Sequence, residues 1–173
     1  MTPERRARFE AKLARLGQRS FQGRLEALLD PGSVTLLNAP DWDAAWDLAT
    51  TTARGTIAGR VVYAYATNFL VDGGTLGHAE CHAIAELHDR AAREGAPIAA
   101  LLHSNGARVA EHHQALAANA VMFKAITRAS GASPMVAVCT GLALGSAAYM
   151  AALADFCWMV EGGSWAATTS PAV

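Results

Sequence analysis

The sequence has almost no charge imbalance: 14 lysines and arginines stand against 15 aspartates and glutamates, a formal net charge of −1 over 173 residues. The two signs are interspersed. The chain therefore lacks the basic stripe that captures nucleic acid or an anionic membrane, and neither is expected as a partner. Long apolar runs are missing too. The longest, Ile98–Leu102, Met135–Cys139 and Ala147–Ala154, stop well short of the roughly 20 residues of a spanning helix. The opening TPERRARFEAKLARL has no apolar centre of the kind a secretory signal carries and reads as a charged helix. Cysteine is scarce: Cys81, Cys139 and Cys157 each sit alone in an apolar segment, without the paired spacing of a zinc site. Buried, reduced thiols in a cytoplasmic protein are expected, with no metal. Aromatic residues make up only 7%, and Trp42, Trp46, Trp158 and Trp165 are expected in the core or at an interface.

What is present is a large apolar fraction, 52%, enough for the core of one domain. The spacing of Phe9, Leu13 and Leu16 predicts a helix over Pro3–Leu16. A second short helix is expected over Gln22–Leu29, ended by Asp30-Pro31-Gly32. These place an N-terminal helical segment over residues 1–22, ahead of a domain over 23–173. Trp42 and Trp46 fall in a loop or helical turn. Gly55–Ala58 and Val61–Ala66, separated by Gly59-Arg60, read as a β-hairpin. Beyond the turn Asp72-Gly73-Gly74, helices are expected over about 77–94, 107–129 and 144–153, alternating with strands over 97–103, 134–140 and 156–160. Strands alternating with helices indicate a layered α/β fold with largely parallel pairing.

Two segments carry the chemistry. Ser104–His112 and Gly141–Phe156 each join an apolar strand to a helical run through small residues. Main-chain N–H groups at such a helix start point outward unblocked, which makes an oxyanion hole without catalytic side chains. A plainer reading stands beside this one for each: an ordinary turn using glycine's φ freedom at Asn105-Gly106, and close helix packing at Gly145-Ser146. Arg108 and Glu111, spaced i, i+3, read as a solvated ion pair on a helix. His112 and His113 are adjacent and diverge on a helix, so they do not make a metal pair. His78, His82 and Glu86 have i, i+4 spacing, but nothing else completes a ligand set. Gly141–Gly145 lacks the lysine of a phosphate-binding loop and the opening of a dinucleotide fingerprint.

The succession RLEALLDPGS (Arg24–Ser33), RGTIAGR (Arg54–Arg60), FLVDGGTLG (Phe69–Gly77), GAPIAALLHSNGARVAEH (Gly95–His112), ASGASPMVAV (Ala129–Val138) and GLALGSAAYMAALADFCWMV (Gly141–Val160) resembles the carboxyltransferase beta subunit of biotin-dependent acyl-CoA carboxylases. The propionyl-CoA type is nearest, with malonate decarboxylase beta a more distant relative. The resemblance runs in order from about Arg24 to Val173 and implies a crotonase-like spiral of ββα units that works as an oligomer. Departures are visible. Ser104-Asn105-Gly106-Ala107-Arg108 stands where the family reads S-G-G-A-R, and Gly141-Leu142-Ala143-Leu144-Gly145-Ser146-Ala147 where it reads G-P-C-A-G-G-A. Ala83 occupies a common lysine position. Ser170-Pro171-Ala172-Val173 resembles the family's G-P-x-V, after which a family member continues through a second crotonase domain that handles carboxybiotin.

By that resemblance the oxyanion donors map to the N–H groups of Gly145 and Ser146, and Ser104, Asn105, Gly106, Ala107 and Gly141 form the substrate-binding loops. No cofactor is expected to bind this chain directly; a CoA thioester and biotin on a carrier protein enter as substrates. The expected role is one component of an acyl-thioester carboxyltransferase in a hetero-oligomer, completed by a second chain and served by a biotin carrier or acyl-carrier protein. A malonyl-thioester decarboxylase, another enolate-forming enzyme, and a non-catalytic structural paralogue are the alternatives.

Overall fold

A computed structural model describes residues 2–15 and 17–169. Leu16 and Ser170–Val173, which figure in the sequence reading above, lie outside them. Thr35–Leu36 (β1) pairs antiparallel with Thr50–Ile57 (β2), which forms a hairpin with Arg60–Thr67 (β3). From β3 onward every pairing is parallel: Ile98–Ser104 (β4), Met135–Leu144 (β5) and Phe156–Met159 (β6) follow in order, and Trp165–Ala167 (β7) also pairs with β5. The expectation of largely parallel pairing holds for the second half only; the sheet is mixed because the Ala58-Gly59 turn folds β3 directly back on β2. Parallel neighbours need crossovers, and these are His78–Glu94 (α4), His112–Ala129 (α5) and Ser146–Ala152 (α6).

Side-chain alternation divides the sheet between two cores. On one face Ile98, Ala100 and Leu102 of β4 and Met135, Ala137 and Cys139 of β5 pack with Ile84, Leu87, Met122, Ile126 and Met150 from α4, α5 and α6. On the other, Ala99 and Leu101 meet Phe21 and Leu25 of α2 (Phe21–Leu28) and Trp46, which follows the short helix α3 (Trp42–Ala45). Ser20 caps α2 by accepting from Gly23 N–H at 3.2 Å. The segment boundary expected at 22/23 falls inside α2, whose Phe21 is core. The first helix, α1 (Pro3–Arg15), is held by Arg6, which lies over the Trp46 ring at 4.6 Å.

Three local expectations change. The first hairpin strand begins at Thr50, because Thr50, Thr51 and Thr52 are buried against β3 rather than looped. The second core strand runs through Gly141 to Leu144, because β7 supplies its late residues with a pairing partner. Cys81 and Cys139 are buried as expected but Cys157 is exposed, since β6 is exposed along its length.

His88 on α4 is fully buried, neither ring nitrogen has a hydrogen-bond partner among the described residues, and burial pushes its pKa down to about 4. An unfolded histidine takes its proton near 6.5. The unfolded chain therefore binds more protons between about pH 6.5 and 4, and stability present above that window is lost as pH falls through it. Substituting His88→Leu should remove about 3 kcal/mol of this acid dependence and leave stability at pH 7 unchanged or higher, since two unsatisfied nitrogens go with the ring. Urea unfolding at pH 7 and pH 4 checks both.

Candidate functional site

The two glycine-bearing segments meet where β4 and β5 end. Ser104 pairs with Ala143 after a register shift, and the Gly106 backbone then runs against Leu144 and Gly145. A Cβ on Gly106, whose φ is +88, would stand 2.6 Å from the Leu144 carbonyl oxygen. Both features demand glycine. The Ser104 hydroxyl accepts from Gly106 N–H at 3.0 Å, closing the turn. From the other side Asn105 N–H donates to Gly73 O (3.1 Å) and Leu76 N–H to Gly106 O (2.8 Å), while Arg108 N–H donates to Leu76 O (3.0 Å). The loop is thus a short parallel ladder against 73–76, and six of the sequence-derived site residues (Ser104, Asn105, Gly106, Ala107, Gly145, Ser146) lie within it or beside it.

Arg108 anchors this ladder, and it is not the solvated partner that its spacing to Glu111 suggested. Its guanidinium is only 17% exposed and bonds Glu80 at 2.9 Å, Glu111 at 3.0 Å and the Thr75 carbonyl at 2.9 Å. Glu80 is itself buried and accepts from Gly77 N–H at 3.0 Å, so one carboxylate ties the start of α4 to the loop. Glu111 also accepts the His78 N–H at 2.6 Å; that bond, with Arg108, holds its carboxyl below the ordinary range. The helix expected from residue 107 accordingly starts at His112, after a 3-10 turn over Val109–Glu111.

At the end of β5 the chain turns sharply at Gly145 (φ +53) into α6. The Gly145 N–H donates to the Ala167 carbonyl of β7 at 3.0 Å. It is therefore occupied, and the donor pair inferred from sequence, Gly145 with Ser146, is not the pair left open. Among the described residues no acceptor is found for the N–H of Ser146, the first residue of α6, where orphan donors are expected, nor for that of Ala107 in the facing loop. The Ser146 hydroxyl is buried without a partner.

Gly141, expected in a substrate-binding loop, lies close against a side chain of β4. Any Cβ there would lie 2.5 Å from the His103 ring, so it makes room for an imidazole that stacks on Phe69 at 4.1 Å on its other side. Sequence reasoning passed over both His103 and Arg24. Nothing local marks either; only the meeting of α2 with the strand ends does. The His78 and His82 rings lie 4.3 Å apart, tilted by 38°, and with His113 line a groove of about 620 Å³ between α4 and α5. No group of three or more histidine, cysteine or acidic residues among those described could hold a metal ion.

A family model for the carboxyl transferase domain matches residues 17–173. The methylmalonyl-CoA decarboxylase alpha subunit of Veillonella parvula is 43% identical over 122 residues, 70% of this chain and 24% of that protein. The mitochondrial propionyl-CoA carboxylase beta chain of Homo sapiens is 35% identical over 169 residues, 91% of this chain and 31% of that one. In a structure of transcarboxylase 12S, described as a hexamer with methylmalonyl-coenzyme A and methylmalonic acid bound, 34% of the chain superposes on 95% of this one with a TM-score of 0.86 and 30% identity. A Pseudomonas malonate decarboxylase heterodimer gives a TM-score of 0.76 at 29% identity, covering 88% of this chain and 66% of that one. The chain spans 24% and 31% of the length of these two curated relatives.

Proposed function

The chain belongs to the carboxyl transferase domain family, with its crotonase-like α/β fold, and from that premise we propose that it forms the acyl-thioester site of an enolate-forming carboxyltransferase completed by further polypeptide. The observation that supports this most is that Ala107 and Ser146, on loops that meet at Gly106 and Gly145, each carry an N–H without an acceptor among the described residues. Moving a carboxyl group to or from the α-carbon of a thioester makes or breaks one carbon–carbon bond. The electron pair of that bond rests meanwhile on the thioester oxygen as an enolate. Two preorganised N–H donors at that oxygen stabilise the charge where it develops, each contributing about 3 kcal/mol.

No protein base is needed in this scheme. Departure of carbon dioxide leaves the electron pair behind in the decarboxylating direction, and carboxybiotin on a carrier supplies both carboxyl group and base in the other. His112 and His113 are accordingly given no part. Ser146, standing where the resemblance places a second glycine, keeps the N–H but adds a hydroxymethyl group, which narrows the acyl pocket. The 43% identity to a decarboxylase subunit favours decarboxylation of a malonyl-type thioester as the second reading of the same site.

Completion by another polypeptide is supported by an uncovered sheet face. Phe156 (62% exposed) and Trp158 (60%) of β6 project on the side of the sheet that α2 leaves bare, with Val160 and Trp165 also exposed. A monomeric protein rarely shows so contiguous an apolar patch, and β6 offers an open edge besides. The test is purification of the chain from its source under native conditions, identification of associated and biotinylated polypeptides, and assay of carbon dioxide exchange on malonyl-CoA and methylmalonyl-CoA. We expect association and turnover. A monodisperse monomer by sedimentation contradicts completion, and a stable complex inert toward both thioesters contradicts the catalytic reading in favour of the structural one.

A further inference from the structure

We propose that a cavity on the opposite face of the sheet from Ser146 binds a small planar oxyanion, a carboxylate or bicarbonate, through Arg24 and His103. The cavity, about 210 Å³, lies between the loop before α2 and the ends of β4 and β5, and is lined by Gln18, Arg19, Arg24, His103, Thr140 and Val160 together with Gly17. Two guanidinium groups, an imidazole and an amide converge there without a single carboxylate. His103 and Thr140 share the side-chain parity of Leu101 and Val138, which pack in the α2 core, whereas Ala143 and Ala147 belong to the other core.

Arg24 is inward-facing yet unpaired. Its Nε donates to Ser20 O (3.4 Å), Nη1 to Leu101 O (3.1 Å) and to the Thr140 hydroxyl (2.8 Å), and Nη2 to Thr67 O. A guanidinium has five N–H donors, so one on Nη2 remains. The carbonyls satisfy hydrogen bonds but leave the charge uncompensated, and burial draws the pKa down to about 10. Arg108 shows the contrast, being matched by Glu80 and Glu111. A sequestered cation without a counter-charge is costly, and here the open space adjoins it.

His103 completes the recognition. Its ring is clamped between Phe69 and Gly141, and its nitrogens have no partner among the described residues. Burial and the Arg24 charge keep it neutral, at a pKa of about 4, so it offers one N–H rather than a second full charge. One oxygen of a carboxylate can take the spare Nη2–H and the other the imidazole N–H, with Arg19 and Gln18 closing above; Arg19 forms no ion pair among the described residues. The volume is below the roughly 300 Å³ at which pockets begin to hold drug-sized ligands, which fits an anion of a few heavy atoms and not a CoA thioester.

The probes are acetate and bicarbonate, each replacing chloride at constant ionic strength, with Tm of the purified chain in its native oligomer as the readout. A saturable rise of about 3–5 °C at tenfold the Kd is expected. Arg24→Gln cuts the ties between α2 and three strands and so perturbs folding as well as binding; the deciding variant is His103→Asp. It places a carboxylate beside the guanidinium, and should raise Tm in chloride alone while abolishing the response to both probes. The assignment is overturned if neither probe differs from chloride, which would leave only screening of charge, or if His103→Asp responds as the parent does.

Discussion

Ser146→Pro should lower carboxyl exchange by about 100-fold or more in the assembled protein, whereas Ser146→Ala should change it little or raise it. The two substitutions separate the main chain from the side chain. Proline deletes one of the two N–H donors assigned to the enolate oxygen, yet Ser146 is the first residue of α6, the helical position that tolerates proline best because its N–H has no helical acceptor anyway. Folding should therefore survive while rate does not. Alanine keeps the N–H and removes a buried hydroxyl that has no partner, relieving an unsatisfied group and widening the approach of the acyl chain. His112→Ala and His113→Ala serve as controls and should be nearly silent. Loss of activity in a folded Ser146→Ala complex, with the proline variant no worse, makes the hydroxyl the reactive group and defeats the oxyanion assignment.

Arg108→Met should destabilise the chain by about 3–5 kcal/mol, the range for stranding a buried charge by removing its partner. Glu80 is the charge left behind: it is buried, and its other contact is the neutral N–H of Gly77. The double variant Arg108→Met/Glu80→Gln should recover much of the loss, because no net charge then remains buried beside Gly77. Denaturant midpoints of the single and double variants give the coupling. Since Arg108 also ties its loop to Thr75, the single variant should lose turnover beyond its loss of folded protein, by letting the Ala107 N–H wander. Equal stability of parent and Arg108→Met shows instead that water reaches Glu80.

The order of helices and strands was legible because breakers punctuate it: Asp30-Pro31-Gly32, Gly95-Ala96-Pro97 and Ser130–Pro134 all fall between elements. What escaped sequence reasoning was whatever depends on a distant partner. Thr50, Thr51 and Thr52 look like a polar loop, but pairing with Tyr65–Thr67 buries them as strand. Gly141 looks like part of a binding loop, and only the facing His103 ring shows why a side chain is excluded there. Arg108 and Glu111 have the spacing of an exposed helical pair; Glu80, 28 positions away, takes them inward. Small residues after apolar strands marked the two segments that meet at Gly106 and Gly145. Which N–H groups stay open there was not legible, since the acceptor that occupies Gly145 comes from Ala167.

That last bond has a bearing on how the site is born. On the side away from β4, strand β5 gains its neighbour over Leu142–Leu144 from Trp165–Ala167, and the Gly145 N–H finds its acceptor in the same short strand. During vectorial synthesis the hairpin, α4, β4 and α5 can all assemble while those residues are still being made. The turn at Gly145, although encoded twenty residues earlier, stays unpinned until that strand leaves the ribosome. A nascent chain halted before Trp165 would thus hold most of the described sheet with the Gly145 turn unfinished, and quality control that senses the bare end of β5 would at the same time be reading out whether the proposed donor loop has formed.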